Sequence, residues 1–390
     1  MKKRYLILAL VLIIFIASIY ALLSRNTETI LVDGIEKFEP LKNSNHYLLY
    51  YPADKRVSQE NTIVKEVTAD GKVVREYEIR DQYFRRMSAH QKPNHSNSLY
   101  ISLFGEATID NYYYTYDISK KKFQRVKLDY FDYEVGVDHI MHYGDSVLLQ
   151  TLVSHKTGEQ NVNAETNEFN VSISNFSTQN SFETEYGHAP KWAPLLQFNG
   201  KIIYGTSGQV DEEDIYVNSG IGVIDLENQK AEYMNINKNA DMYPLYSTEE
   251  YAYVLGESGE VISYNTDFDY EVQKPFQGMS KDDIFFNEES SQLLLNSITA
   301  LYQVYSQKKG SIIGLLTYEP ALTFQPLQKE YLDPDSSYRF LYQDQENGEI
   351  YIISSSEREE KLLVIDNTSF SLKADIPVTN SHLLDFVAKN

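Results

Sequence analysis

From residue 45 to the C-terminus, apolar residues come in short runs separated by Asn, Asp, Gly and Ser. The runs are rich in Tyr, Phe, Val, Ile and Thr, and almost none keeps the spacing of an amphipathic helix. That pattern predicts strands joined by tight turns. One unit recurs: a strand, a short polar turn, and a second strand that ends before a loop. Its turns fall at Asp70-Gly71, Ser119-Lys120, Phe176-Ser177, Glu227-Asn228, Thr266-Asp267, Glu319-Pro320 and Asn367-Thr368. Successive turns lie about 50 residues apart, the length that the four short antiparallel strands of one propeller blade require.

Each proposed hairpin follows an apolar run able to supply the inner strands, such as 46–51 before the first and 340–342 with 350–353 before the last. The fold class is therefore read as all-β: a seven-bladed β-propeller over residues 45–390, with its sheets hidden against one another. The C-terminal HLLDFVAKN supplies one more strand, expected to close the ring beside a strand within residues 30–38. A row of β-sandwich domains is the competing arrangement, and no linker rich in Pro, Gly and Ser supports it.

The N-terminus has a different pattern. Residues 1–4 are a basic end, expected on the cytoplasmic side, and residues 5–23 run without a charge. At about 1.5 Å per residue, a helix of that length nearly crosses a bilayer core of about 30 Å. The run is long for a cleaved signal peptide, and Ile19 spoils cleavage after Ala21. The expectation is a retained transmembrane helix, with residues 24–44 as a stalk or first strand. The basic start places everything beyond it outside the membrane.

Composition narrows the chemistry. The 390 residues include no cysteine, which removes disulfides, thiolate catalysis and Cys-ligated metals. An exported domain without disulfides suggests a bacterial cell envelope. The net charge of −21 argues against nucleic acid as a partner. Tyrosine is abundant, with 32 residues against 18 Phe and the single Trp192. Such residues suit the packed faces of sheets, and they can also form a platform for sugar or peptide, with Tyr112, Tyr114 and Trp192 as candidates.

No phosphate-binding loop, dinucleotide fingerprint, nucleophile elbow or HExxH motif is present. The densest group of candidate ligands is Asp138, His139, His142 and Asp145. Two imidazoles and two carboxylates can ligate a metal or pass a proton, but positions 139 and 142 of one strand face opposite ways. His90 and His95 form a second pair. Asp211, Glu213 and Asp214 can attract calcium, although calcium loops usually space their oxygens more widely; no other cofactor is expected. Loops at 85–98, 154–168 and 208–220 are long enough to carry recognition.

These features favour a binding or assembly module, anchored in the cell membrane and facing outward, that recognises an envelope protein, a peptide or a glycan. The alternatives are an exported polysaccharide hydrolase or lyase, and an accessory sensor ectodomain. The lack of a catalytic signature makes an enzyme the less favoured reading.

Overall fold

The computed structural model describes residues 29–43, 45–91, 97–103, 111–128, 135–143, 146–153, 169–174, 179–183, 195–205, 209–210, 216–217, 219–225, 227–228, 230–238, 242–256, 259–277, 284–285, 292–306 and 309–390. The helix expected at residues 5–23 lies outside them. Among the described residues, no helix is long and apolar enough to cross a membrane.

The architecture is an all-β propeller. The described strands form seven sheets of four or five strands and one two-stranded ribbon. Sheets 2 to 7 each use consecutive stretches of chain, innermost strand first. These innermost strands are Met87–Gln91, Val135–Tyr143, Leu196–Phe198, Met242–Ser247, the pair Ile284–Phe285 and Gln292–Leu294, and Ser337–Asp344. Six of the seven turns named from the sequence join the third strand of their sheet to the fourth, and Phe176-Ser177 lies outside the described residues.

Sheet 1 joins strands from both ends of the described chain. Its order is Thr29–Asp33, Val73–Arg80, Thr62–Thr68, His46–Tyr51 and Phe386–Lys389. The innermost strand thus comes from the C-terminus. It pairs antiparallel with His46–Tyr51, Leu48 lying opposite Ala388. This corrects the expectation that it would lie beside residues 30–38. The reason is burial: Leu48, Leu49 and Tyr50 are covered on both faces, so their strand needs a partner on each side. The strand Thr29–Asp33 alternates between exposed and half-buried positions, as an edge strand does. It lies at the opposite edge of the sheet, parallel to Val73–Arg80.

Burial follows strand position. Inner strands such as His46–Tyr51 and Ala252–Gly256 are buried on both faces. The outer strand Leu372–Pro377 buries only Ala374 and Ile376. Separate clusters of buried side chains join sheets 2 and 3, 4 and 5, 5 and 6, and 6 and 7, and the largest joins sheets 7, 1 and 2. Tyrosine fills much of this core: eight of the twelve largest fully buried side chains are Tyr. At the closure, Tyr342 stacks on Phe386 with ring centroids 5.2 Å apart, and its hydroxyl donates to the carbonyl of Val387 at 2.7 Å.

Candidate functional site

The two ends of the propeller are built differently. The turns joining first to second and third to fourth strands lie at one end, the hairpin end. Contacts between turns confirm their common side: Asn199 Nδ2 donates to the carbonyl of Thr266 at 2.9 Å, and Lys373 Nζ to that of Gly348 at 2.9 Å. The loops between second and third strands, and the crossovers to the next sheet, lie at the other end, the crossover end.

A cluster of charges sits at the crossover end where sheets 7, 1 and 2 meet. Asp385 immediately precedes the closing strand, and its side chain is 1% exposed. Arg86 immediately precedes the innermost strand of sheet 2, and its Nε and Nη2 donate to the two Asp385 oxygens at 2.6 and 2.7 Å. The Met87 N–H donates to the same carboxylate at 3.0 Å. Arg339, on the innermost strand of sheet 7, places Nη1 at 3.4 Å from Asp385 and donates through Nη2 to the carbonyls of Ser381 and Leu384.

The cluster continues outward. Arg86 Nη1 lies 3.5 Å from Asp54, in the loop between the second and third strands of sheet 1. Asp54 also accepts two bonds from the Arg56 guanidinium, at 3.0 and 2.8 Å. The hydrogen bonds and charge of Arg56, helped by Arg86, overcome desolvation and hold the Asp54 carboxyl down to about 2. Three guanidinium groups thus surround two buried carboxylates. Lys55 and Arg85 add cations beside Arg56 and Arg86. The carboxylates are covered, whereas the Arg56 side chain is more than half exposed. Lys55 and Arg56 are exposed on the outer side of the cluster, and Glu60, Glu357 and Glu359 are exposed in the crossover-end loops of the same sheets, within a chain of net charge −21. Arginine in such a setting suits planar, two-point recognition of carboxylate.

At the hairpin end the closing strand is held by other acids. Glu66 accepts from Arg75 at 2.8 Å, lies 2.6 Å from His46 Nδ1, and accepts from the C-terminal Asn390 side chain at 3.2 Å. Glu349 pairs with Lys389 and accepts from the Tyr351 hydroxyl at 3.1 Å.

The candidates named from the sequence fall in different places. His139 lies on the innermost strand of sheet 3, edge-on to His90 of sheet 2, with ring centroids 4.4 Å apart. His90 Nε2 shares a 2.7 Å hydrogen bond with the buried Ser102 hydroxyl. Burial lowers His139 to about 4 and His90 well below its ordinary value, the latter helped by the neighbouring imidazole. Asp138 and His142 share the His139 strand, but their side chains lie outside the described residues. The same holds for His95, Asp145, Trp192, Asp211, Glu213 and Asp214. Among the described residues, no three His, Asp or Glu side chains gather as a metal site would require. Tyr114 is fully buried, edge-on to Phe84, and so serves the core instead of a platform. Tyr112 is half-buried beside Tyr83, and the Arg125 guanidinium lies over both rings.

The arginine cluster was not found from the sequence. The available signal was Asp385, a lone acid within an apolar run, which demands a buried partner. Nothing local names Arg86, 299 positions away.

No protein-family model matches the chain. No curated protein matches its sequence either. Solved structures do resemble its fold. A prolyl endopeptidase superposes with a TM-score of 0.50 at 8% identity, over 88% of this chain and 50% of its own. A post-proline cleaving enzyme from Rickettsia typhi gives 0.48 at 13%, over 87% and 52%. The β-propeller domain of the trilobed protease from Pyrococcus furiosus gives 0.48 at 11%, over 84% and 94%. AztD from Citrobacter koseri gives 0.40 at 10%, over 85% and 95%. The chain spans about half the length of the two peptidases. At these identities the likeness concerns the fold alone.

Proposed function

We propose that this chain is a membrane-anchored, extracytoplasmic binding module whose crossover end recognises a carboxylate-rich partner, such as an acidic peptide, protein segment or glycan. In this reading the seven sheets are the blades of one ring, and residues 5–23 hold the ring at the outer face of the cell membrane. The observation that carries the reading is the arginine cluster around Asp385 and Asp54. It gathers cations from three adjacent sheets onto one surface of an otherwise acidic molecule. The buried carboxylates fix the guanidinium groups in place, so little side-chain entropy remains to be lost on binding. A shape held closed by its own C-terminal strand also suits recognition by loops on a rigid support.

Titration of the full chain in nanodiscs with glutamate-rich, lysine-rich and uncharged peptides tests this. The glutamate-rich peptide is expected to bind, and more weakly as salt rises. Charge reversal by Lys55→Glu is expected to weaken it about tenfold, the effect of about 1.4 kcal/mol. Preference for the lysine-rich peptide, or indifference to Lys55→Glu, overturns the reading.

A further inference from the structure

We propose that the hairpin end of the propeller rests on the lipid bilayer, with its exposed apolar side chains inserted among the headgroups. The inference builds on the proposed anchoring by residues 5–23 and adds an orientation to it.

The first support is the path of the chain. The strand Thr29–Asp33 runs parallel to Val73–Arg80, with Thr29 opposite Glu76 and Asp33 opposite Arg80. Val73–Arg80 starts at the hairpin end, next to the turn at Asp70-Gly71. The chain therefore enters the fold from the hairpin end and runs toward the crossover end. Only residues 24–28 separate the uncharged run from Thr29. Even fully extended, the six steps from Leu23 to Thr29 cover about 20 Å. A ring tethered so closely is held with its hairpin end toward the membrane.

The second support is where large apolar side chains meet solvent. Among the described residues eleven are exposed. Val57 and Tyr305 sit at the crossover end, and Leu31 and Val272 lie within edge strands. The other seven sit at the hairpin end. Tyr251 and Ile298 flank turns between first and second strands, whereas Val73, Tyr270 and Leu372 open fourth strands. Leu41, the most exposed at 60%, accepts a 2.7 Å bond from the C-terminal Asn390 side chain through its carbonyl. Apolar and aromatic side chains distributed over one end of a domain, beside its membrane tether, match a surface that lies in the headgroup layer. Lys42 and Lys72 stand exposed among them, with stems able to lie along the interface and amines able to reach phosphate. The turns of this end also carry Asp70, Asp117, Asp225, Glu250, Asp269 and Asp366, so it is rich in acids. The end is therefore not basic overall, and apolar insertion carries the docking without anionic lipid.

The absence of native cysteine makes a direct test simple. Single cysteines at Ile298→Cys and Leu372→Cys, and at Val57→Cys as the crossover-end control, are labelled with a fluorophore in the full chain. The chain is reconstituted in phosphatidylcholine vesicles containing brominated lipid. The proposal expects quenching several-fold greater at positions 298 and 372 than at 57. Equal quenching at all three, with the chain still resisting alkaline extraction, overturns the docking and leaves the anchoring intact. Release of the chain by alkaline carbonate overturns both. Labels at 298 and 372 that are shielded from aqueous iodide yet unquenched by lipid mean that a protein covers this end, which also overturns the proposal.

Discussion

The turns of the hairpin end and the charge cluster of the crossover end differ in the range of their interactions, although the hairpin end also has long links, Asn390 meeting Glu66 across 324 positions. At the hairpin end, the turns satisfy themselves. Asp225 accepts from the N–H groups of Glu227 and Asn228, and Asp366 from those of Thr368 and Ser369. Asn265 does the same for Asp267 and Asp269. Each side chain caps a turn that begins at its own position. At the crossover end, the Asp385 carboxylate joins three sheets and meets its main partner across 299 positions. Local turns leave the hairpin end free to present apolar side chains outward. The crossover end buries Asp54 and Asp385 and leaves Arg56 exposed beside them. An acidic chain can thus offer two chemically distinct surfaces on one scaffold.

The largest expected effect comes from breaking the long-range side of this comparison. Asp385→Asn leaves Arg86 and Arg339 without their shared anion in a buried setting, and the loss is expected to reach about 3–5 kcal/mol. Urea unfolding reads it, with an unchanged slope showing that the same structure unfolds. A loss below about 1 kcal/mol would place the cluster among ordinary surface pairs.

Acid sharpens the comparison. His139 is lowered to about 4 by burial, so between about pH 6.5 and 4 the unfolded chain binds the proton and the folded one does not. Stability therefore falls as pH falls through that window, by roughly 3 kcal/mol from this residue. His90 adds in the same direction. A second loss follows as pH drops from about 4 toward 2, where Asp54, held low chiefly by Arg56, gives up its charge. Thermal unfolding across pH measures both, and His139→Gln should flatten the first phase alone.

Backbone contact between sheets gives a further effect. A Cβ on Gly205 would lie 1.9 Å from the Met242 carbonyl oxygen, at the junction of sheets 4 and 5. That neighbour is backbone and cannot swing away, so Gly205→Ala is expected to cost about 1–3 kcal/mol by forcing the strands apart. Equal denaturation midpoints for variant and wild type would contradict the packing described. The smallest effect belongs to the hairpin end: Lys120→Ala removes an exposed pair with Asp117 and should cost about 0.5 kcal/mol or less.

The same difference in range decided what could be read from the sequence. The turns at Asp70-Gly71 and Asn367-Thr368 were legible because a turn is written in adjacent residues. The alternation of Leu372–Pro377 was legible because one face meets solvent. The partner of the closing strand was not. Residues 386–388 are apolar, and such a run does not say which neighbour it will meet. Tyr114 fitted both a packed face and a platform, because strand periodicity names two faces without saying which is buried. The pairing of His139 with His90, rather than with a histidine in its own segment, needed two sheets to meet. The arginine cluster needed three.

Hydrogen exchange of the full chain in nanodiscs, with and without a glutamate-rich peptide, tests the two-ended account most directly. The account predicts that the peptide slows exchange in the crossover-end loops at 52–61 and 356–359, while the turns at 248–251 and 295–298 stay protected by lipid in both samples. Protection by the peptide confined to the hairpin-end turns, with the crossover loops unchanged, would contradict it.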